Sequence, residues 1–460
     1  MNSNNSEPIL VPSTGEIREI LVKRVDQQKQ AVGIAAGIIR PNGRHVVAYG
    51  KLANGDPHTL DEDTIFEIGS ISKVFTSLLL AEMVIRKEVA LDDPAAKFLP
   101  EHVRMPERNG KSITLLDLST HTSGLPPVPG NLKLNFAQGE MKDAANPFAF
   151  YSTDDLYEFL SSYTLPRDPG SEFEYSNLGA GLLGHILAHR AGTDYESLIR
   201  SRITQPLRMP NTEITRSPSM QQRIATGHNA LLVPVVQKDW DPSHVFAGAG
   251  ALRSSVNDML ALLEAFLGYK ESPVAPAMKL MLEVRRPLGK TKFETGLAWQ
   301  IFGETAWHSG GTGGFRSFVA FNPNDCIGVV VLSNAATPSG VDDIGFHLLN
   351  PKLPLANAEP PKSHTEIQLD PEVLDKYAGR YQFPDRILEI TRDGSRLFAK
   401  FYGQQGIGGP MFEMFAESEK NFFVKQTGSK FTFETDPKGQ TTGLIMHRAG
   451  RPGAPGTRLS

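Results

Sequence analysis

Ile17, Ile20, Leu21 and Val25 recur at helical spacing in EIREILVKRVDQQKQ, which predicts an amphipathic helix with one packed face. VGIAAGIIRPNGRHVVAYGKL then reads as two strands joined at Pro41-Asn42-Gly43, a hairpin signal. From Phe66 to about Leu267 the pattern is mostly helical, broken by Pro/Gly loops such as HTSGLPPVPGN. Ser255 and Asp258 open the apolar run VNDMLALLEAFL as a capping box. Strand patterns return in TGLAWQIF, FRSFVAFN and CIGVVVLSN, the last read as a buried strand that includes Cys326. Strands therefore open and close this region while helices fill its middle. That order predicts a mixed α/β (α+β) fold: an antiparallel sheet flanked by helices, its N- and C-terminal strands meeting, with an all-helical subdomain inserted between them.

A proline-rich stretch without periodicity, NPKLPLANAEPPKSH, follows as a linker. Beyond it GRYQF, RILEITRDG, RLFAKFYG, NFFVKQT, KFTFET and TGLIMHRAG are short strand-like pieces separated by turn residues, the texture of a small closed antiparallel β-barrel. The division is a first domain over 1–350, a linker over 351–364 and a barrel over 365–460. The tail RPGAPGTRLS is expected to be mobile.

The chain has 460 residues, enough for more than one core, and a formal net charge of -4, which gives no basic footprint for nucleic acid or an anionic membrane. The single cysteine, read as a small core hydrophobe, rules out an internal disulfide framework. MNSNNSEPILVPSTG has neither the charged region nor the apolar run of a secretory signal, and no apolar stretch reaches membrane-spanning length, so a cytoplasmic location is expected.

Three short pieces carry candidate chemistry. In GSISK, Ser70 and Lys73 stand three apart at the start of the helical run FEIGSISKVFTSLLLAEMV and share a face. Ile71, Val74, Phe75, Leu78 and Leu79 would bury much of that helix. Burial and the helix N-terminus both disfavour an ammonium, and lowering the lysine pKa by ~3 units costs roughly 4 kcal/mol. The outcome is a neutral amine beside a hydroxyl, a nucleophile activated without histidine. The plainer alternative makes Ser70 an N-cap and Lys73 a surface residue. Tyr175-Ser176-Asn177 precede another apolar helix: the phenol can relay a proton and the amide can bind a carbonyl, or the trio is a buried tyrosine with its cap. His308-Ser309-Gly310-Gly311 lie in the strand region, where the glycines let a substrate backbone lie alongside and free the Gly311 N–H for an oxyanion, unless they form only a hairpin loop.

Taken in order, S-x-x-K, Y-S-N and H-S-G, each separated by roughly a hundred residues, resemble the serine β-lactamase and penicillin-binding-protein-like superfamily in its class C-type branch. The resemblance covers about residues 15–350, and loops such as LLDLSTHTSGLP and FAGAGALRSSVNDM look like its connecting segments. It implies that Ser70 accepts the acyl group, that Lys73 takes its proton, and that Tyr175 shares the proton traffic. It further implies that His308 replaces the third-motif lysine, that Asn177, Ser309, Gly310 and Gly311 contact substrate, and that the Ser70 and Gly311 N–H groups form the oxyanion hole. Histidine in place of lysine resembles the peptidase members rather than efficient β-lactamases. The expectation is a serine peptidase, amidase or esterase acting on a small molecule or short peptide, with slow or absent β-lactam hydrolysis and no cofactor, metal, nucleic-acid or membrane partner. The oligomeric state is not legible. An acyltransferase of the peptide-cyclising type and a non-catalytic acyl- or β-lactam-binding sensor are the alternatives. The C-terminal segment resembles a lipocalin-like domain, with YGQQGIGGPMFE as the loop expected to reach toward Ser70.

Other patterns carry less. GAGLLG lacks the strand and acidic residue of a dinucleotide site, and His185 and His189 lack the glutamate of a zinc protease helix. No G-x-S-x-G elbow is present, and His121 in STHTSGLPP reads as structural.

Overall fold

The computed structural model describes residues 11–459 apart from 133–135, 138–139, 142–147, 237–238, 290, 361–363, 385, 404–407, 426–427 and 448–452. Strands β1 (Gly33–Arg40), β2 (Gly43–Gly50), β3 (Arg286–Pro287), β4 (Glu294–Thr295), β5 (Gln300–Phe302), β6 (Thr305–Gly311), β7 (Arg316–Asn322) and β8 (Ile327–Ser333) form one sheet. Its order is β2-β1-β8-β7-β6-β5-β4-β3, antiparallel at every pairing. The N-terminal hairpin therefore meets the last strand, with Ile34 opposite Ser333 and Ile39 opposite Gly328.

Both faces of this sheet are covered. Ala35 and Ile39 of β1 and Val330 and Leu332 of β8 belong to one core, while Ile34, Ala36, Ile38, Val329 and Val331 belong to the other. Alternation across two buried faces explains why β1 and β8 read as continuous apolar runs. Helix α1 (Thr14–Val22), continued by a π-helical turn over Lys23–Gln27, buries Ile17, Leu21 and Val25 on one face, as its periodicity predicts. Between the hairpin and β3 lie α2 (Ser72–Ile85), α3 (Asn177–Ala191) and α4 (Val256–Phe266), and α5 (Asp342–Leu349) follows β8. Every residue from Ser72 to Met83 of α2 is buried, including the polar Ser72, Lys73, Thr76, Ser77 and Glu82.

Four details depart from the sequence reading. TGLAWQIF is not one strand: Ala298 takes a left-handed φ of +66°, its N–H bonds Ser119 O, and the chain folds into the β4–β5 hairpin. Cys326 is exposed, in the turn before β8 with φ +52°, so it is not a core residue. Ser255 caps α4 by accepting the Asp258 N–H, but the Asp258 carboxylate accepts from Asn211 N and Thr212 Oγ1 instead of closing the box. Finally, Ala454–Arg458 of the supposedly mobile tail is the closing strand of the barrel.

That barrel has eight strands: β9 (Gly379–Gln382), β10 (Arg386–Asp393), β11 (Arg396–Gly403), β12 (Gly408–Ala416), β13 (Asn421–Phe423), β14 (Lys430–Thr435), β15 (Thr441–His447) and β16 (Ala454–Arg458). Each pairs with its sequence neighbour, and β16 returns to β9. This is an up-and-down barrel. Its centre is filled by side chains, among them Tyr381, Leu388, Phe422, Phe431, Phe433 and Leu444. A Cβ added at Gly428 of the barrel would lie 3.6 Å from Ala230 Cβ and 3.9 Å from Pro338 Cγ of the first unit. No helix among the described residues is long and apolar enough to cross a membrane.

Candidate active site

Ser70 sits in a 3₁₀ turn, Gly69–Ile71, that leads into α2. It is not an N-cap. No side chain caps α2, and the Ser70 hydroxyl instead accepts a hydrogen bond of 3.0 Å from Lys73 Nζ. Gly69 has a φ of +50°, and a Cβ there would stand 2.7 Å from the Gly311 backbone. Only glycine lets the turn that carries Ser70 approach β6 so closely.

Lys73 is 1% exposed. Its amine also donates to Asn177 Oδ1 at 2.8 Å and to Ala249 O at 2.6 Å, and it lies 5.0 Å from the centre of the Tyr175 ring. No carboxylate pairs with it among the described residues. Burial therefore lowers its pKa to about 7. Because an ammonium or amine N–H only donates, the oxygen of Asn177 faces Lys73, which leaves its Nδ2 for a carbonyl in the cleft.

Tyr175 ends the segment before α3, where Ser176 caps the helix by accepting the Gly179 N–H. The Tyr175 hydroxyl reaches Ser70. Burial raises its pKa to about 12, against the opposing effect of that hydrogen bond. His308 on β6 is 2% exposed, and its Nδ1 contacts Ser309 O at 2.7 Å. A carbonyl only accepts, so Nδ1 carries the proton and Nε2 presents a lone pair. Burial first, and the nearby Lys73 second, lower the His308 pKa to about 3, so the imidazole is neutral.

The third motif divides between the two faces of its strand. Ser309 Oγ turns to Asp342 at 2.7 Å, on α5, so its side chain serves the sheet. Gly310 faces the nucleophile turn: a Cβ there would lie 2.1 Å from Ile68 O and 2.3 Å from Ser317 Oγ. Gly311 lines the cleft together with Ser70 and Asn177. The cleft has a volume of about 270 Å³. A larger cavity of about 570 Å³ between α1 and residues 347–357 contains none of these groups, so size does not pick out the site.

His121 was assigned a structural role, yet it packs directly on the site. Its ring lies 4.5 Å from that of Tyr175 and 5.8 Å from that of Phe173. Its O accepts the Glu174 N–H and its Nδ1 accepts the Ser176 N–H. Nothing in the local sequence signals this, because the contact spans more than fifty residues. The described residues that line the cleft come from the first unit. Of the barrel loop YGQQGIGGPMFE, residues 404–407 lie outside the described residues. His185 bonds Tyr157 through Nε2, and no group of three or more metal-ligating side chains occurs among the described residues.

An antiparallel sheet with an inserted helical region, and a serine, a buried lysine and a tyrosine in contact at their junction, are the makings of a serine hydrolase of the β-lactamase type. The chain belongs to the Beta-lactamase family, whose profile it matches over residues 19–350; residues 363–455 match a domain of unknown function, DUF3471. Among relatives, D-alanyl-D-alanine-carboxypeptidase/endopeptidase AmpH of Escherichia coli (strain K12) is 29% identical over 71% of this chain and 86% of its own. A β-lactamase of the same organism is 24% identical over 73% and 92%. A solved β-lactamase/D-alanine carboxypeptidase from Yersinia pestis, complexed with citrate, superposes with a TM-score of 0.59 at 26% identity, over 70% of this chain and 92% of that one. A class C β-lactamase from Rhodobacter sphaeroides gives the same TM-score at 25% identity, over 70% and 95%.

Proposed function

We propose that the protein hydrolyses small esters or amides, including peptides with D-residues, through a covalent acyl-enzyme on Ser70. The observation that carries this reading is the Lys73 amine, 3.0 Å from Ser70 Oγ, buried without a carboxylate and so poised to be neutral near pH 7. In the first half-reaction Lys73 takes the Ser70 proton as Oγ bonds the substrate carbonyl carbon. The oxyanion forms against the N–H groups of Ser70 and Gly311. The bond to the leaving group then breaks, and that group receives the proton from Lys73, directly or through Tyr175. In the second, water replaces the leaving group and the same proton path runs again, releasing the acid and restoring Ser70.

His308 shapes this chemistry by what it lacks. A lysine at that position would donate and would carry charge, whereas the neutral imidazole offers a lone pair. It gives a substrate carboxylate no cation. Slow or absent β-lactam turnover belongs to the same reading. The relatives' names, a D-alanyl-D-alanine carboxypeptidase/endopeptidase and β-lactamases, both denote attack on an amide carbonyl and support the amide branch. Labelling with a fluorophosphonate tests the proposal: a stoichiometric adduct on the wild type and none on Ser70→Ala supports it, and an unlabelled wild type removes it.

A further inference from the structure

Three aromatic residues, Phe148, Trp240 and Phe246, line the cleft beside Ser70. Phe148 and Phe246 stack with centroids 4.3 Å apart and planes 19° apart, and Trp240 stands 6.3 Å from Phe148. Tyr151 meets Phe246 edge-on at 5.5 Å. Gly311, Thr312 and Gly313, largely bare backbone, line the same cleft. A cleft lined by aromatic rings and bare glycine backbone suits an apolar or aromatic group.

Among the described residues, none that lines the cleft carries a charge. Lys73 lies behind Ser70, within hydrogen-bond distance of Ser70 Oγ, Asn177 Oδ1 and Ala249 O. The guanidinium of Arg316, close to Gly311, donates to the carbonyls of Thr312, Phe315 and Ala336. An acyl group bearing a carboxylate would lose its water here without gaining a cation, a large penalty, whereas an aryl group exchanges water for aromatic contact.

We infer that the natural acyl donor carries an uncharged, aromatic or apolar acyl group, held in the cleft that Phe148, Trp240, Phe246 and the Gly311–Gly313 backbone line. The acyl group is the part that stays bonded to Ser70 through both half-reactions, so it is the part these surfaces select. This inference rests on the acyl-enzyme reading above.

The test uses p-nitrophenyl esters of one leaving group: acetate, phenylacetate, pentanoate and hemiglutarate, assayed on the full-length protein. The phenylacetate kcat/KM should exceed that of acetate by about tenfold or more, and pentanoate should exceed hemiglutarate, which carries a carboxylate in place of its terminal methyl, by a similar factor. Trp240→Ala and Phe148→Ala should bring the phenylacetate-to-acetate ratio toward one. A wild-type ratio near one, or a preference for hemiglutarate, overturns the inference whether or not the variants fold. If acetate acylates Ser70 while discrimination is absent, the inference falls alone. If no ester acylates Ser70, it falls together with the reading beneath it.

Discussion

The Nζ of Lys73 stands 3.0 Å from the Oγ of Ser70, and its other close partners among the described residues are two acceptors and an aromatic ring, with no carboxylate. Buried in this way it titrates at about 7, while Tyr175 at about 12 and His308 at about 3 stay outside the working range. The base form of Lys73 therefore accumulates as pH rises through neutrality. For an activated ester, kcat/KM should climb along a single limb centred near pH 7 and then stay level to about pH 10. A second inflection that disappears in His308→Gln would show that the histidine titrates in catalysis, contrary to its buried neutral state.

The same shift has a stability signature. The folded lysine titrates at about 7 and an unfolded one near 10.4, so between those values the unfolded chain holds a proton that the folded chain lacks. Wild-type stability should rise with pH across that window, and the full penalty of Lys73 should be present below it. Lys73→Met removes the group. Its advantage over wild type in urea unfolding should be largest near pH 6 and shrink by about 2 kcal/mol by about pH 9. An advantage independent of pH would mean that Lys73 is not depressed.

Much of this site is legible in the sequence because its parts are local. GSISK, YSNL and HSGG each announce a helix start or a glycine strand, and the interrupted strand order predicts the sheet that joins them. What escapes is set by long-range contact. His121 lies in a turn with no pattern, and its role appears only when Tyr175 packs on it. Ser309 looks like a cleft residue until strand alternation turns it to Asp342. Ala298, inside one apolar run, and Cys326, at the start of another, adopt left-handed backbone, a choice made by hairpin closure that hydropathy does not encode. The closing barrel strand, APGTR, has little β propensity; pairing with β15 and β9 fixes it.

Gly310 sets the distance between the third motif and the nucleophile. A Cβ at that position would overlap the Ile68 carbonyl at 2.1 Å, a backbone atom that cannot swing away. Gly310→Ala should push β6 from the Ser70 turn, lower kcat by about a hundredfold and cost about 1–3 kcal/mol of stability. Steady-state kinetics and thermal unfolding together check this, and wild-type kinetics in the variant would show that the spacing is not needed.

His121 holds a left-handed φ of +57° while clamping Glu174 and Ser176 around Tyr175. Asparagine tolerates that backbone and supplies an acceptor, whereas a β-branched residue does neither. His121→Asn should keep more activity and stability than His121→Val, which should lose about 2–4 kcal/mol. Equal loss in both variants would reduce His121 to a volume filler.

With neutral His308 in place of a lysine, nitrocefin should be turned over at least about a hundredfold more slowly than by a dedicated β-lactamase. A comparable rate, followed by absorbance, would contradict the role assigned to that position.

The account turns on Ser70 becoming an ester of the substrate's acyl group, and trapping that ester measures it directly. The full-length protein mixed with an activated ester, quenched in acid within the first turnover and analysed by intact mass, should gain one acyl group, located by peptide mapping to the segment containing Ser70. Ser70→Ala should gain none. An acyl group on another residue, or ester turnover that persists unchanged in Ser70→Ala, would contradict the account.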